Sequence, residues 1–275
     1  MGAGMLAASS LEAKRLGLKV GVTDWNLRQE SKLGALELAR RLGFDGVEVS
    51  LGVGEERLPL SDVVVQEQYL AEAARLKFPI ASTCLNILHR NVLKSDKLAQ
   101  KWVADSIPIT KKLGARVILL PFFGKGALKT HEEMDYVADY LREIAPEAEK
   151  AGVVLGLEDT CSAEDNARMV GRARSKAVLV YYDIGNSSQG GFDVVKEIRW
   201  LGKDRICEFH IKDNPHLLGQ GKIDVPAVFA AIAEIGFRGW AHLETVAPTK
   251  SVENDMAINL KYVRGLIAKV EAQSS

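Results

Sequence analysis

EKAGVVLGLED (residues 149–159) passes from the end of an amphipathic helix, through a glycine, into a short apolar run that stops at two carboxylates. The same passage recurs along the chain as ARRLGFDGVEVS (39–50), AARLKFPIASTC (73–84), KKLGARVILLPF (111–122) and AEIGFRGWAHLE (233–244). In four of the five a glycine (Gly43, Gly114, Gly152, Gly236) stands at the break, where a left-handed residue stops a helix. The runs that follow are short, largely apolar and separated by helical segments, the pattern of strands buried on both faces of a parallel sheet. Reading outward from these repeats predicts strands over 19–25, 46–52, 79–86, 116–123, 153–159, 178–185, 206–212 and 239–245.

The intervening helices carry their own signals. Thr130 followed by Glu133 is a capping box, and Asp193 and Asp224 are N-cap candidates. Pro146 is a candidate kink. Ser251 or Asn254 can open the last helix, which runs towards Val270. Eight strand–helix cycles average about 34 residues each, which suits a (β/α)8 barrel of roughly 250 residues. The expected fold is therefore α/β, a (β/α)8 TIM barrel in a single domain over 18–275, with 1–17 as an N-terminal extension. A doubly wound open sheet is the alternative, but no GxGxxG or Walker A pattern follows VGVTDWNLRQ (20–29).

Composition narrows the function classes. The chain has 275 residues, 47% hydrophobic and 26% charged, which excludes general disorder and fibrous architectures. No apolar run is long enough for a membrane span. The 36 basic and 36 acidic side chains cancel, removing the footprint of a nucleic-acid or anionic-lipid binder. Cys84, Cys161 and Cys207 are odd in number and widely spaced, so neither a disulfide framework nor a zinc ribbon is expected, and a reducing cytoplasm is the simplest compartment. The opening MGAGMLAASSLEAKR lacks a basic n-region and a sustained apolar core. Its Ala-Ala-Ser-Ser tract suits a trimmed export signal, whereas a helical or frayed extension is the plainer reading.

In such a barrel, function sits at the C-terminal ends of the strands. LGLEDT ends in Glu158, VYYDIGN in Asp183, CEFHIKD in His210 and AHLET in Glu244, on four consecutive strands. One carboxylate at a strand end is often only a helix cap or an ion-pair partner. Three carboxylates and an imidazole converging on one mouth would repel one another in a partly desolvated pocket. A divalent cation removes that problem, and oxygen-rich ligation with a single nitrogen favours Mn²⁺, then Mg²⁺ or Co²⁺, over structural zinc.

These four residues, with HIKDN and LGQGKID after the seventh strand, resemble the xylose isomerase-like TIM barrel superfamily. Within it the chain is most similar to the sugar (phosphate) isomerase/epimerase branch, which includes ketose 3-epimerases and hydroxypyruvate isomerase-like proteins. The resemblance implies one divalent metal on Glu158, Asp183, His210 and Glu244, with Glu158 and Glu244 also the acid/base pair on opposite sides of the substrate carbon. It implies proton transfer through a metal-stabilised cis-enediolate of a small sugar, keto sugar or sugar phosphate. Elimination after the same enolisation, as in an inosose or dehydroshikimate dehydratase or in cleavage of oxidised glycosides, is the alternative. An endonuclease IV-like role is disfavoured because DIGN carries no following histidine and the net charge is zero. A small carbohydrate is the implied partner, and a homo-oligomer suits the resemblance because dimers and tetramers are common among similar barrels.

Further residues carry two readings each. By the resemblance Glu164 matches a substrate-hydroxyl-binding glutamate; otherwise it is a first-turn helix acid. Asn186 and His216 stand where sugar epimerases usually carry His and Arg, which argues against a close copy of a ketohexose 3-epimerase. Both remain substrate-binding candidates. Lys212 shares strand parity with His210 and can meet a substrate oxyanion or phosphate, or snorkel at the rim. Trp25 can stack on a sugar face or pack the barrel top. Phe122 and Phe123 invite the same pair of readings, packing first. Glu48 faces inward and can hold a neighbour of the site. His89 is a loop residue near the site, and His131 and His242 carry no special claim.

Overall fold

The computed structural model describes residues 16–54 and 57–273. Eight strands, β1 (Lys19–Thr23), β2 (Gly46–Ser50), β3 (Ile80–Cys84), β4 (Val117–Pro121), β5 (Val154–Glu158), β6 (Val178–Asp183), β7 (Ile206–Ile211) and β8 (Trp240–Leu243), close into a barrel in sequence order. Every neighbouring pair is parallel, β1 with β8 included. Around it run α1 (Gly34–Leu42), α2 (Val63–Leu76), α3 (Lys97–Lys112), α4 (His131–Ala151), α5 (Ala163–Ala173), α6 (Ile184–Gln189), α7 (Val194–Leu201), α8 (Val225–Glu234) and α9 (Val252–Gln273). The (β/α)8 architecture is as expected. The extension assigned to 1–17 lies, except for Leu16 and Gly17, outside the described residues.

The local signals act as read. Gly152 closes α4 with φ 73°, its amide bonding back to the helix carbonyls. At the one break without glycine, Lys77 takes the left-handed conformation itself. Thr130 and Glu133 cap α4 reciprocally, and Asp193 and Asp224 accept backbone amides at the starts of α7 and α8. α4 continues past Pro146 as one helix, and α9 begins directly after Ser251. None of the described helices is long and apolar enough to cross a membrane.

Alternation along the strands separates two interiors. Val180 and Tyr182 of β6, and Phe209 and Ile211 of β7, join the main core between barrel and helices. The intervening Tyr181, Glu208 and His210 face the barrel interior, where Tyr181 meets a small separate apolar cluster with Cys84, Val117 and Leu119. Barrel interiors are usually filled with branched aliphatic side chains. Here Glu48, Glu208, His210 and His242 are all buried within it. Such groups persist inside a fold only when hydrogen-bonded or paired.

Candidate active site

Register and strand ends bring the four metal candidates together. β6 pairs with β7 so that Asp183 stands opposite His210; Glu158 ends β5 and Glu244 directly follows β8. One ligand atom from each lies within 4.8 Å of all the others. His210 Nδ1 is 3.0 Å from Glu158 Oε1, 3.4 Å from Glu244 Oε2 and 3.7 Å from Asp183 Oδ2. Asp183 caps α6 through Oδ1, which accepts the amides of Gly185 and Asn186, so that Oδ2 is left for the site. Asn186 donates its side-chain amide to Glu158 Oε1 at 3.2 Å, and Trp25 Nε1 donates to Glu244 Oε1 at 3.1 Å.

Lys212 occupies the middle of this cluster. Its Nζ is 2.6 Å from both Asp183 Oδ2 and Glu244 Oε2, and the residue is almost fully buried. Its aliphatic stem lies over Gly185, where a Cβ would stand 2.4 Å from Lys212 Cγ. Only a residue without a side chain lets the stem pass there. The glycine two residues after Asp183 thus positions the ammonium.

Electrostatics follow from this crowding. Burial raises the Glu158 carboxyl above its ordinary range, and His210 only partly offsets it. Burial would raise Asp183 too, but the Lys212 ammonium and His210 hold it far below the usual value. Burial works against a charged His210, yet the surrounding carboxylates of Glu244, Glu158 and Glu48 raise it well above normal. Lys212 is likewise raised by Asp183 and Glu244 against the cost of its burial. The upward displacements of His210 and Lys212 describe a pocket whose anions demand positive charge.

That demand is the test of whether a divalent ion fits. His210 Nε2 is taken by Glu48 Oε2 at 2.9 Å, so Nδ1 is the nitrogen aimed at the three carboxylates. A neutral imidazole would turn a lone pair on them; Lys212 offsets Asp183 and Glu244, and a proton or a metal ion at Nδ1 would relieve the repulsion that remains. Three oxygen donors and one nitrogen suit a hard or borderline divalent ion. The donor set fits.

A model of the xylose isomerase-like TIM barrel matches residues 36–265. The chain belongs to the xylose isomerase-like TIM barrel family. Among its relatives, L-ribulose-5-phosphate 3-epimerase of Salmonella paratyphi C (strain RKS4594) is 30% identical over 232 residues, covering 76% of this chain and 80% of that protein. The 2-epi-5-epi-valiolone 7-phosphate 2-epimerase of Actinoplanes sp. (strain ATCC 31044 / CBS 674.73 / SE50/110) is 27% identical over 225 residues, 78% and 82% of the two chains. The structure of an L-ribulose 3-epimerase superposes with a TM-score of 0.77 at 17% identity, covering 94% of this chain and 97% of the other. The sequence relatives are sugar epimerases, and the structural likeness shows the shared fold.

In this xylose isomerase-like barrel a cavity of about 470 Å³ opens over the cluster. Trp25, Asn186 and Lys212 line it together with Glu158 and Glu244. Two other substrate-binding candidates stand elsewhere. Glu164 is exposed in the first turn of α5 and lines a separate cavity beside Phe192 and Trp200. An acid there faces the positive end of the helix, which is the alternative reading given for it. His216 is exposed after the cis Asn214–Pro215 bond, on another cavity with Lys222 and Gln189. The Asp213 carboxylate accepts the amides of Gly221 and Lys222, which closes that loop on itself.

Asn86 and Glu30 emerge only from the fold, whereas His89 stands near the site as its loop position implied. Asn86 and Glu30 hydrogen-bond to each other across the cavity wall, and His89 stacks on Phe123 at a ring separation of 6.0 Å. Phe122, by contrast, is packed into the main core. His242 gains a role that its sequence position did not suggest. It lies two residues before Glu244, on the same strand face, and is fully buried with Nε2 3.1 Å from Glu208 Oε2 and 3.2 Å from Ser82 Oγ. Parity along β8 was the available signal. His131 is exposed and pairs with Asp165.

Proposed function

We propose that the protein is a divalent-metal-dependent epimerase or isomerase of a small keto sugar or its phosphate. The observation that carries this is the convergence of Glu158, Asp183, His210 and Glu244 within 4.8 Å beneath an open cavity. These four residues would hold the ion, Mn²⁺ before Mg²⁺ or Co²⁺ for an oxygen-rich set with one nitrogen. Bound there, it would supply a Lewis acid to polarise a substrate carbonyl and its neighbouring hydroxyl.

The protein's own groups then do the proton transfer. Glu158 and Glu244 reach the site from different strands, each with one oxygen held by a neutral donor, Asn186 and Trp25 respectively. One carboxylate takes the proton α to the carbonyl and the other returns one to the opposite face, inverting the centre. Return to the adjacent carbon would instead exchange aldose and ketose. Lys212 offers an ammonium to the oxyanion that develops as the proton leaves. The Trp25 ring edges the pocket, an apolar surface for the face of a sugar. The epimerase names of the sequence relatives support this reading, and names ending in 5-phosphate and 7-phosphate among them keep phosphorylated substrates within it.

The test is proton NMR in D₂O with keto sugars and their phosphates, after adding Mn²⁺ in trace amounts or Mg²⁺ at saturation. Exchange of the α-proton is expected with wild type and lost in Glu244→Gln with the fold retained. Exchange that continues unchanged in Glu244→Gln refutes its role. A product lacking a hydroxyl would move the assignment to elimination.

A further inference from the structure

Glu48 stands in the middle of β2 with no exposed surface, across the barrel from the site it touches. Its Oε2 lies 2.9 Å from His210 Nε2 and also accepts the Tyr181 hydroxyl at 2.9 Å. Its other oxygen, Oε1, is buried without a hydrogen-bond partner among the described residues. A buried carboxylate with one bare oxygen is costly, because an unmet acceptor forfeits its hydration. Simple packing would favour an aliphatic residue there, as in most barrel interiors.

The contact accounts for that cost through what it imposes on His210. A carboxylate can only accept, so the imidazole nitrogen facing it must carry the hydrogen. With Nε2 so held, Nδ1 is the nitrogen turned to Glu158, Asp183 and Glu244, where a bound ion would take the place of the proton those carboxylates otherwise require. Two rings confine the imidazole plane as well: Tyr181 edge-on at 4.6 Å between centroids, and Trp25 edge-on at 5.9 Å. Tyr181 is itself anchored by the same Glu48 oxygen. We infer that Glu48 is a positioning residue that sets the tautomer and ring orientation of His210, presenting Nδ1 to the divalent ion. This rests on the metal reading above and adds to it a residue that binds neither metal nor substrate. Partners of this kind typically change metal affinity by about 10–100-fold.

Glu208 supplies the control. It is an equally buried carboxylate in the same barrel interior, but it pairs with His242, which also meets the Ser82 hydroxyl, rather than with His210. A general loss of packing or charge inside the barrel would affect both positions alike. Mn²⁺ affinity is measured by competition with a chelator for wild type, Glu48→Leu, Glu48→Gln and Glu208→Gln. Glu48→Leu is expected to bind Mn²⁺ about 10–100-fold more weakly. Glu48→Gln, which keeps an acceptor, should recover most of that loss, and Glu208→Gln should match wild type. Equal affinity in Glu48→Leu, or the same loss in Glu208→Gln, overturns the inference while leaving the metal reading intact. A wild-type protein that takes up no Mn²⁺ overturns both. The ¹⁵N-histidine spectrum of Mg²⁺-loaded wild type decides without any variant: His210 should carry its proton on Nε2, and a proton on Nδ1 refutes the assignment.

Discussion

Asp24, the first residue after β1, is fully buried and accepts three hydrogen bonds: Oδ2 from the amides of Ser31 and Ser50, Oδ1 from the Ser50 hydroxyl. These bonds tie β1 to β2 and anchor the loop that carries Trp25 over Glu244. Burial pushes the Asp24 carboxyl up to about 7, against the lowering effect of its hydrogen bonds, with the Glu30 charge adding a little. The consequence for stability has a definite sign. Below its ordinary value of 3.8 the group is protonated in both folded and unfolded chains. Between 3.8 and about 7 the folded chain binds more protons, so stability falls as pH rises; above about 7 the loss is complete. At about 1.4 kcal/mol per pH unit, that gap amounts to about 4 kcal/mol. Asn at this position keeps an oxygen for the two amides and can donate to the Ser50 hydroxyl, which rotates to accept. Asp24→Asn should therefore gain on wild type by about 4 kcal/mol between pH 4 and pH 8, on an order-of-magnitude basis, and then level off. Urea unfolding of the chelated proteins at half-unit pH intervals measures the difference, with the titrations common to both chains cancelling. A difference that stays flat across this range, or that shrinks as pH rises, refutes the reasoning.

Two further substitutions probe Lys212. Lys212→Met keeps the stem and removes the ammonium 2.6 Å from both Asp183 and Glu244, so no internal cation competes for those oxygens. Mn²⁺ affinity should hold or rise while turnover falls by about 10²-fold or more, as for loss of one oxyanion-stabilising donor; unchanged turnover would leave the ammonium with only a counter-ion role. Gly185→Ala would place a methyl 2.4 Å from Lys212 Cγ, and the stem must move. A destabilisation of about 1–3 kcal/mol in urea is expected, together with loss of turnover; a variant as stable and active as wild type would show that the stem has another path.

Much of the fold was written in local signals. Helix stops at glycine, the Thr130–Glu133 capping box and β-branched runs act within a few residues of themselves, so they are legible without the fold. Glu158, Asp183, His210 and Glu244 were legible because strand ends recur once per βα unit, and a barrel sends all such ends to one rim. Loops obey no such rule. Glu164 and His216 sit six residues beyond a metal candidate in sequence, yet each is exposed and lines a cavity other than the one over the cluster.

The sequence by itself determined the barrel, the order and place of its strands and the four polar residues at or beside their ends, since each depends on period and short-range chemistry. The observed strands stop one or two residues short of the expected C-terminal bounds, and Glu244 lies just past β8. Tertiary structure decided which side chains meet across the barrel. The contact of Glu48 with His210 spans 162 residues, and that of Trp25 with Glu244 spans 219. Lys212 reaches two carboxylates on different strands only because Gly185 leaves room for its stem. Pairings of this kind follow from barrel closure, which brings β1 beside β8 and points alternate residues of all strands inward. No local pattern encodes that distance, because the geometry that sets it exists only once the sheet has closed.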